Sequence, residues 1–224
     1  MATRLQLYNA ALLLCGERQI ASLTEDRESR RLLDEVYNSN GVNYCLERGQ
    51  WWFAMRAVRI DYDSTQSMDF GYQYAFNVPT DWVATSAVCQ DEYFNVPLIH
   101  HAAEPDFWFA SITPIYVKYV SNDTAYGNDL ARWPATFMDY VAAYFASRII
   151  TKLAGTKAEQ REMLFGSTGN NGYLAQTLHI AKNSAAKTQP TKVLAQGRWT
   201  TARTGRRRAR GPFGDGGTTG SLIG

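Results

Sequence analysis

Trp51-Trp52-Phe53-Ala54-Met55-Arg56-Ala57-Val58-Arg59-Ile60 is the stretch where the chain changes period. Trp52, Ala54, Val58 and Ile60 alternate with Phe53, Met55, Ala57 and Arg59, the two-residue repeat of a strand. Upstream the spacing is helical. Leu5, Tyr8, Leu12 and Cys15 recur on one stripe, and Leu7, Ala11 and Leu14 on a second. Thr3 is placed to cap this first helix, and Gly16 to end it in the left-handed conformation. Two apolar stripes on one short helix predict enclosure on two sides, one by its own core and one by a neighbouring subunit.

A second helix is expected from about Thr24 to Glu47. Ser22 with Glu25 reads as a capping box, and Leu32, Leu33, Val36 and Tyr37 form the apolar face. Gly41, costing about 1 kcal/mol in a helix interior, marks a kink. Beyond Ile60, strands are predicted near 72–76, 82–89, 93–99 and 115–120, separated by turn residues such as Pro79 with Asp81 and Pro105 with Asp106. Helical spacing returns at Trp133-Pro134, a proline suited to a first turn. It continues through Phe137, Val141, Tyr144, Ile149 and Leu153. A fourth helix starts near Lys157 and is broken by Gly166-Ser167-Thr168-Gly169-Asn170-Asn171-Gly172.

The expected architecture is α+β. Residues 1–50 and 131–185 form a four-helix body, residues 51–130 a small antiparallel β-rich unit inserted between helices 2 and 3, and residues 186–224 an extended tail. Charge divides the chain in the same way. The tail holds eight basic residues and one acid, a net of +7, whereas residues 1–185 hold fifteen basic and twenty acidic groups, a net of −5. The apolar run Val141–Ile150 is flanked by Asp139 and broken by Arg148, well short of the ~20 residues of a membrane span. The amino-terminal stretch lacks the small-residue cleavage site of a signal peptide.

The search for reactive chemistry yields no catalytic, cofactor or metal residues. Cys15, Cys45 and Cys89 form no CxxC pair and fit buried free thiols of a reducing compartment. His100 and His101 are adjacent, so on a strand they point to opposite faces, and His179 stands alone. Gly166–Gly172 and Gly214–Gly220 are glycine-rich but lack the Gly-Lys-Ser/Thr ending of a phosphate loop. Asp61 and Asp63 could share a face as a hydrolytic pair, although a solvated turn explains them as well. Trp51-Trp52-Phe53 reads as core packing, while Phe107-Trp108-Phe109 could meet a neighbouring subunit. Arg206-Arg207-Arg208-Ala209-Arg210 could bind nucleic acid through phosphates or dock on an acidic protein. Phe213 and Leu222-Ile223 beyond it are apolar anchors, which favours a tail that orders on a protein partner.

Three groups of residues, taken in order, resemble the head-to-tail adaptor (tail tubular protein A) family of short-tailed bacteriophages. The first is Leu13-Leu14-Cys15-Gly16-Glu17 with Ile20-Ala21-Ser22-Leu23-Thr24-Glu25. The second is Trp51-Trp52-Phe53-Ala54, followed by Tyr72 through Phe76-Asn77-Val78-Pro79-Thr80-Asp81-Trp82. The third is Tyr116-Val117-Lys118-Tyr119, then Trp133-Pro134-Ala135-Thr136-Phe137 and an alanine-rich helix. The resemblance implies a structural virion protein at the head–tail junction, made in the host cytoplasm, with no cofactor and no reaction. It implies a homo-oligomeric ring, typically of twelve copies, beneath the portal protein. Such a ring extends the DNA channel without reading sequence and docks the tail nozzle and fibres. On this reading Leu7, Leu14 and Trp108 are expected at subunit interfaces. Arg206, Arg207, Arg208, Arg210, Phe213, Leu222 and Ile223 are expected to grip the portal. The alternative is a nucleic-acid-binding protein that uses the arginine tail.

Overall fold

A computed structural model describes residues 3–66, 71–153, 158–167 and 171–188. The chain is α+β, with two antiparallel three-stranded sheets set between helices.

Helix α1 (Arg4–Leu14) opens with a full capping box. The Thr3 hydroxyl accepts from the Gln6 amide at 3.2 Å, and the Gln6 side chain accepts from the Thr3 amide at 3.0 Å. Cys15 and Gly16 end it, Gly16 at φ +66°. Both predicted apolar stripes, Leu7 and Ala11 on one and Tyr8, Leu12 and Cys15 on the other, are buried in the chain's own core. The second helix starts later than the sequence suggests. The Glu25 carboxylate accepts from the Ala21 amide at 2.8 Å instead of closing a box with Ser22, and Asp26 pairs with Arg31. Helix α2 therefore begins at Glu28 and runs to Val36.

The kink expected at Gly41 is a wide turn, Tyr37–Gly41, in which Ser39 and Asn40 leave helical geometry and Asn40 sits at φ 62°. A side chain on Gly41 would place its Cβ 2.5 Å from the Val36 carbonyl oxygen and 3.2 Å from the Phe145 ring. Glycine lets the turn lie against the next helix. Helix α3 (Val42–Glu47) continues from it. The Trp51 indole then donates to the Cys45 and Leu46 carbonyls at 3.2 and 3.0 Å, which ties off the end of α3. Its ring lies 4.7 Å from Phe137 and 6.3 Å from Tyr140.

Trp52–Ala54 is a 3₁₀ turn, so strand β1 occupies Met55–Ile60 and starts later than the alternation implies. The first sheet has the order β1–β6–β3, with β3 at Trp82–Cys89 and β6 at Ile115–Ser121. Val58 faces Val117 and Met55 faces Val120 across β1 and β6, and β3 carries two register shifts. The second sheet has the order β2–β5–β4, with β2 at Tyr74–Asn77, β4 at His101–Ala103 and β5 at Phe107–Ala110. A separate core lies between the sheets, built from Phe76, Val88, Trp108, Ile115, Val117 and Tyr119.

The strand expected at 93–99 does not form. Its backbone turns instead, with Phe94 at φ 55° and the Asp91 carboxylate accepting from the Asn95 and Val96 amides. Strands β4 and β5 follow where no strand was read.

Helix α4 (Ala135–Leu153) starts at Pro134, whose carbonyl accepts from Phe137 and Met138. It is the axis of the body: Phe137, Val141, Phe145 and Ile149 join the core that buries α1, α2 and α3. Helix α5 (Ala158–Phe165) and helix α6 (Tyr173–Thr188) are separate, as the glycine-rich break predicts. Gly172 crosses beneath α5, where a Cβ would sit 2.3 Å from the Leu164 carbonyl oxygen.

Candidate functional site

Among the described residues, several candidates for chemistry have neighbours that account for them. The three cysteines are buried, and burial pushes the Cys45 thiol up to about 12. His101 Nδ1 lies 2.8 Å from the Leu98 carbonyl, and His179 lies 3.2 Å from the Asn183 amide. Among the described residues, no group of three or more His, Cys, Asp and Glu is placed to hold a metal ion.

Asp61 and Asp63 have separate partners. Asp61 accepts from Arg59 at 2.9 Å. Asp63 accepts from the Thr65 amide and hydroxyl and, at 2.9 Å, from Asn77 of β2. Those bonds hold its carboxyl below the ordinary carboxylate range. Asp63 is thus a turn anchor between β1 and β2.

The three expected interface residues, Leu7, Leu14 and Trp108, lie in different surroundings. Leu7 and Trp108 are buried in the chain's own two cores, so neither offers surface to a neighbour in this conformation. The second stripe of α1 is enclosed by its own chain, and Trp108 is the inward residue of a strand whose Phe107 and Phe109 lie on the opposite face, with ring centroids 6.2 Å apart. Leu14 is half-buried against the core. The exposed apolar side chains lie elsewhere. Leu13, at the end of α1, is 68% exposed, and the 91–99 loop presents Tyr93 at 71%, Val96 at 48% and Ile99 at 78%. That loop is constructed rather than loose. Gln90 donates to the Val96 carbonyl at 3.0 Å, Leu98 donates to the Val88 carbonyl at 2.8 Å, and the Leu98 side chain is buried below. The sequence signal for it was Asp91-Glu92 followed by apolar residues, which reads equally well as a strand.

Two half-buried carboxylates organise the polar framework. Asp34 of α2 accepts from Arg4 at 2.6 Å and from the Tyr8 hydroxyl at 2.7 Å, and also pairs with Arg30. Asp81, at the start of β3, accepts from Arg56 of β1 at 2.8 Å, from the Tyr119 hydroxyl at 3.0 Å and from the Ser121 hydroxyl. Burial works against the Asp81 charge, but these three donors outweigh it and hold the carboxyl below its ordinary value. One side chain therefore links all three strands of the first sheet.

No protein-family model matches the chain, and no curated protein matches it. The tail residues Arg206, Arg207, Arg208, Arg210, Phe213, Leu222 and Ile223 lie outside the described residues, as do residues 168–170 of the glycine-rich break.

Proposed function

We propose that this chain is a structural ring subunit, a head-to-tail adaptor of a short-tailed bacteriophage. It assembles as a ring of twelve copies under the portal protein, extends the DNA channel and docks the tail nozzle and fibres. Its role is structural rather than catalytic. One observation carries the reading: the residues that resemble the adaptor family fall at the junctions of this fold. Leu13–Glu17 contains the end of α1. Trp51 ties α3 to α4 ahead of the first strand. Asp81 links the three strands of the first sheet. Trp133 donates to the Gly127 carbonyl at 2.8 Å just before α4. Residues at such junctions set how the helices and sheets are joined.

The hydrogen-bonded 91–99 loop is the surface we assign to the next tail component. A fixed backbone presenting Tyr93, Val96 and Ile99 loses little entropy on docking. The tail from residue 190 onward is assigned to the portal, on its charge and its apolar tip.

The test is assembly. Purified chain added to portal-bearing heads is expected to appear by electron microscopy as a ring at the portal vertex. Deletion of residues 190–224 should abolish attachment. V96S/I99S should leave attachment intact and block addition of the nozzle. Full chain that stays off portal-bearing heads would end the adaptor reading.

A further inference from the structure

The sequence placed nucleic-acid affinity, if any, on the tail. The helical body carries a second basic surface. Tyr144, Arg148 and Lys152 follow one another at four-residue spacing on the outer side of α4, about 6 Å apart along the axis. The Tyr144 ring stacks on Tyr44 of α3, with centroids 4.6 Å apart and planes at 19°. The Arg48 guanidinium lies over the Tyr44 ring, 4.5 Å from its centroid, and donates to the Tyr44 hydroxyl. Arg48 and Lys182 of α6 then line one shallow groove beside Trp51. Tyr144, Arg148 and Lys152 line a second cleft of about 220 Å³ against the Tyr37–Gly41 turn, with Glu35 on its far wall. The result is a continuous row: Lys182, Arg48, Tyr44, Tyr144, Arg148, Lys152.

This row reverses the sign of its surroundings. It holds four cations and one carboxylate in a body whose residues 1–185 carry a net −5. Its cations are also uncommitted. Among the described residues Arg48, Arg148, Lys152 and Lys182 have no carboxylate within 4.0 Å; Arg18, Lys118, Arg161 and Lys187 share that state, so what marks the row is its alignment on one face. The aromatic rings are already occupied. Tyr44 and Tyr144 stack on each other and Arg48 covers Tyr44, so the row offers no open aromatic pocket to anchor an apolar side chain. Outward it shows spaced positive charge, which suits a regular line of anions read without base recognition.

We infer that the α3–α4–α6 face is a binding surface for the phosphodiester backbone of nucleic acid, separate from the arginine tail. The inference rests on the body alone and does not depend on the adaptor reading.

Fluorescence anisotropy with the full chain and a labelled 20-bp duplex, titrated between about 50 and 200 mM salt, tests it. Each phosphate contact steepens the fall of log affinity with log salt by about 0.9. R48Q/R148Q/K152Q/K182Q is expected to reduce that slope by about 3.6. Across the fourfold salt range, its affinity would then fall about 150-fold less than the wild type's. R148Q/K152Q, which touches only exposed positions on α4, should reduce the slope by about 1.8, and R206Q/R207Q/R208Q/R210Q should leave this contribution in place. A four-site variant with wild-type affinity and slope would overturn the inference, as would a wild-type chain with no salt-sensitive binding at 50 mM. Displacement of the duplex by an equal charge of polyglutamate would assign the surface to an acidic protein and overturn it too.

Discussion

Asp81→Ala should destabilise the chain more than its position at a strand end suggests. Tyr119 and Ser121 have no exposed surface, and both hydroxyls donate to the Asp81 carboxylate. Removing the carboxylate leaves two buried donors without that partner, at about 1–3 kcal/mol each. Arg56 is 36% exposed and regains water, so its lost ion pair adds little. A total of roughly 3 kcal/mol corresponds to a fall in Tm of about 6–12 °C for a chain of this size. The acid limb provides a second signature. The folded carboxyl is held below its unfolded value, so its stabilisation is fully present above the unfolded pKa of about 3.9 and is lost as pH falls through the folded value. The stability gap between wild type and Asp81→Asn should therefore be constant above about pH 5 and close below about pH 4. Thermal melts followed by circular dichroism, repeated from pH 7 to pH 2.5, measure both. An Asp81→Ala variant melting within a degree of wild type, with an unchanged acid limb, would refute the assignment of Asp81 as the link of the first sheet.

Gly41→Ala should lower stability by about 1–3 kcal/mol, because the added methyl meets the Val36 carbonyl and the Phe145 ring. Urea midpoints with an unchanged m-value would show it. Cys15, Cys45 and Cys89 should resist a thiol reagent at pH 8 while the chain is folded and react together on unfolding, since all are buried and Cys45 is held as the thiol. Rapid labelling of Cys45 in the native protein would contradict its placement under Trp51 and Tyr140.

The helices were legible because their signals are local. Thr3 with Gln6, Gly16, the kink at Gly41, Pro134 and the glycine-rich break each act within a few residues of themselves. The second helix was read too early because Glu25 had two possible partners, and the sequence does not say whether it bonds to Ser22 or Ala21. The sheets were less legible. Tyr93–Ile99 has strand composition, but Asp91 captures the Asn95 and Val96 amides and turns the chain. His101–Ala103 is only three residues long and depends on β5 for its pairing. The burial of Leu7 and Trp108 within the chain is hard to read for a related reason: apolarity alone does not say whether a core or a neighbour covers a side chain. The basic row on α3, α4 and α6 joins residues 44 to 182, so no window of sequence contains it.

The strand orders β1–β6–β3 and β2–β5–β4 mean that neither sheet is built from consecutive strands alone. During synthesis, β1 and β3 leave the ribosome long before β6, the strand that lies between them. Helix α1 waits longer still, for α4 to supply the core it packs against. A nascent chain ending before Ile115 thus has exposed strand edges and no central strand, and one ending before Phe137 has no body. Such partial products are substrates for proteases and chaperones rather than for refolding. Folding of the body is in effect deferred until α4 and α6 have been made, so a message truncated before them yields no intact body.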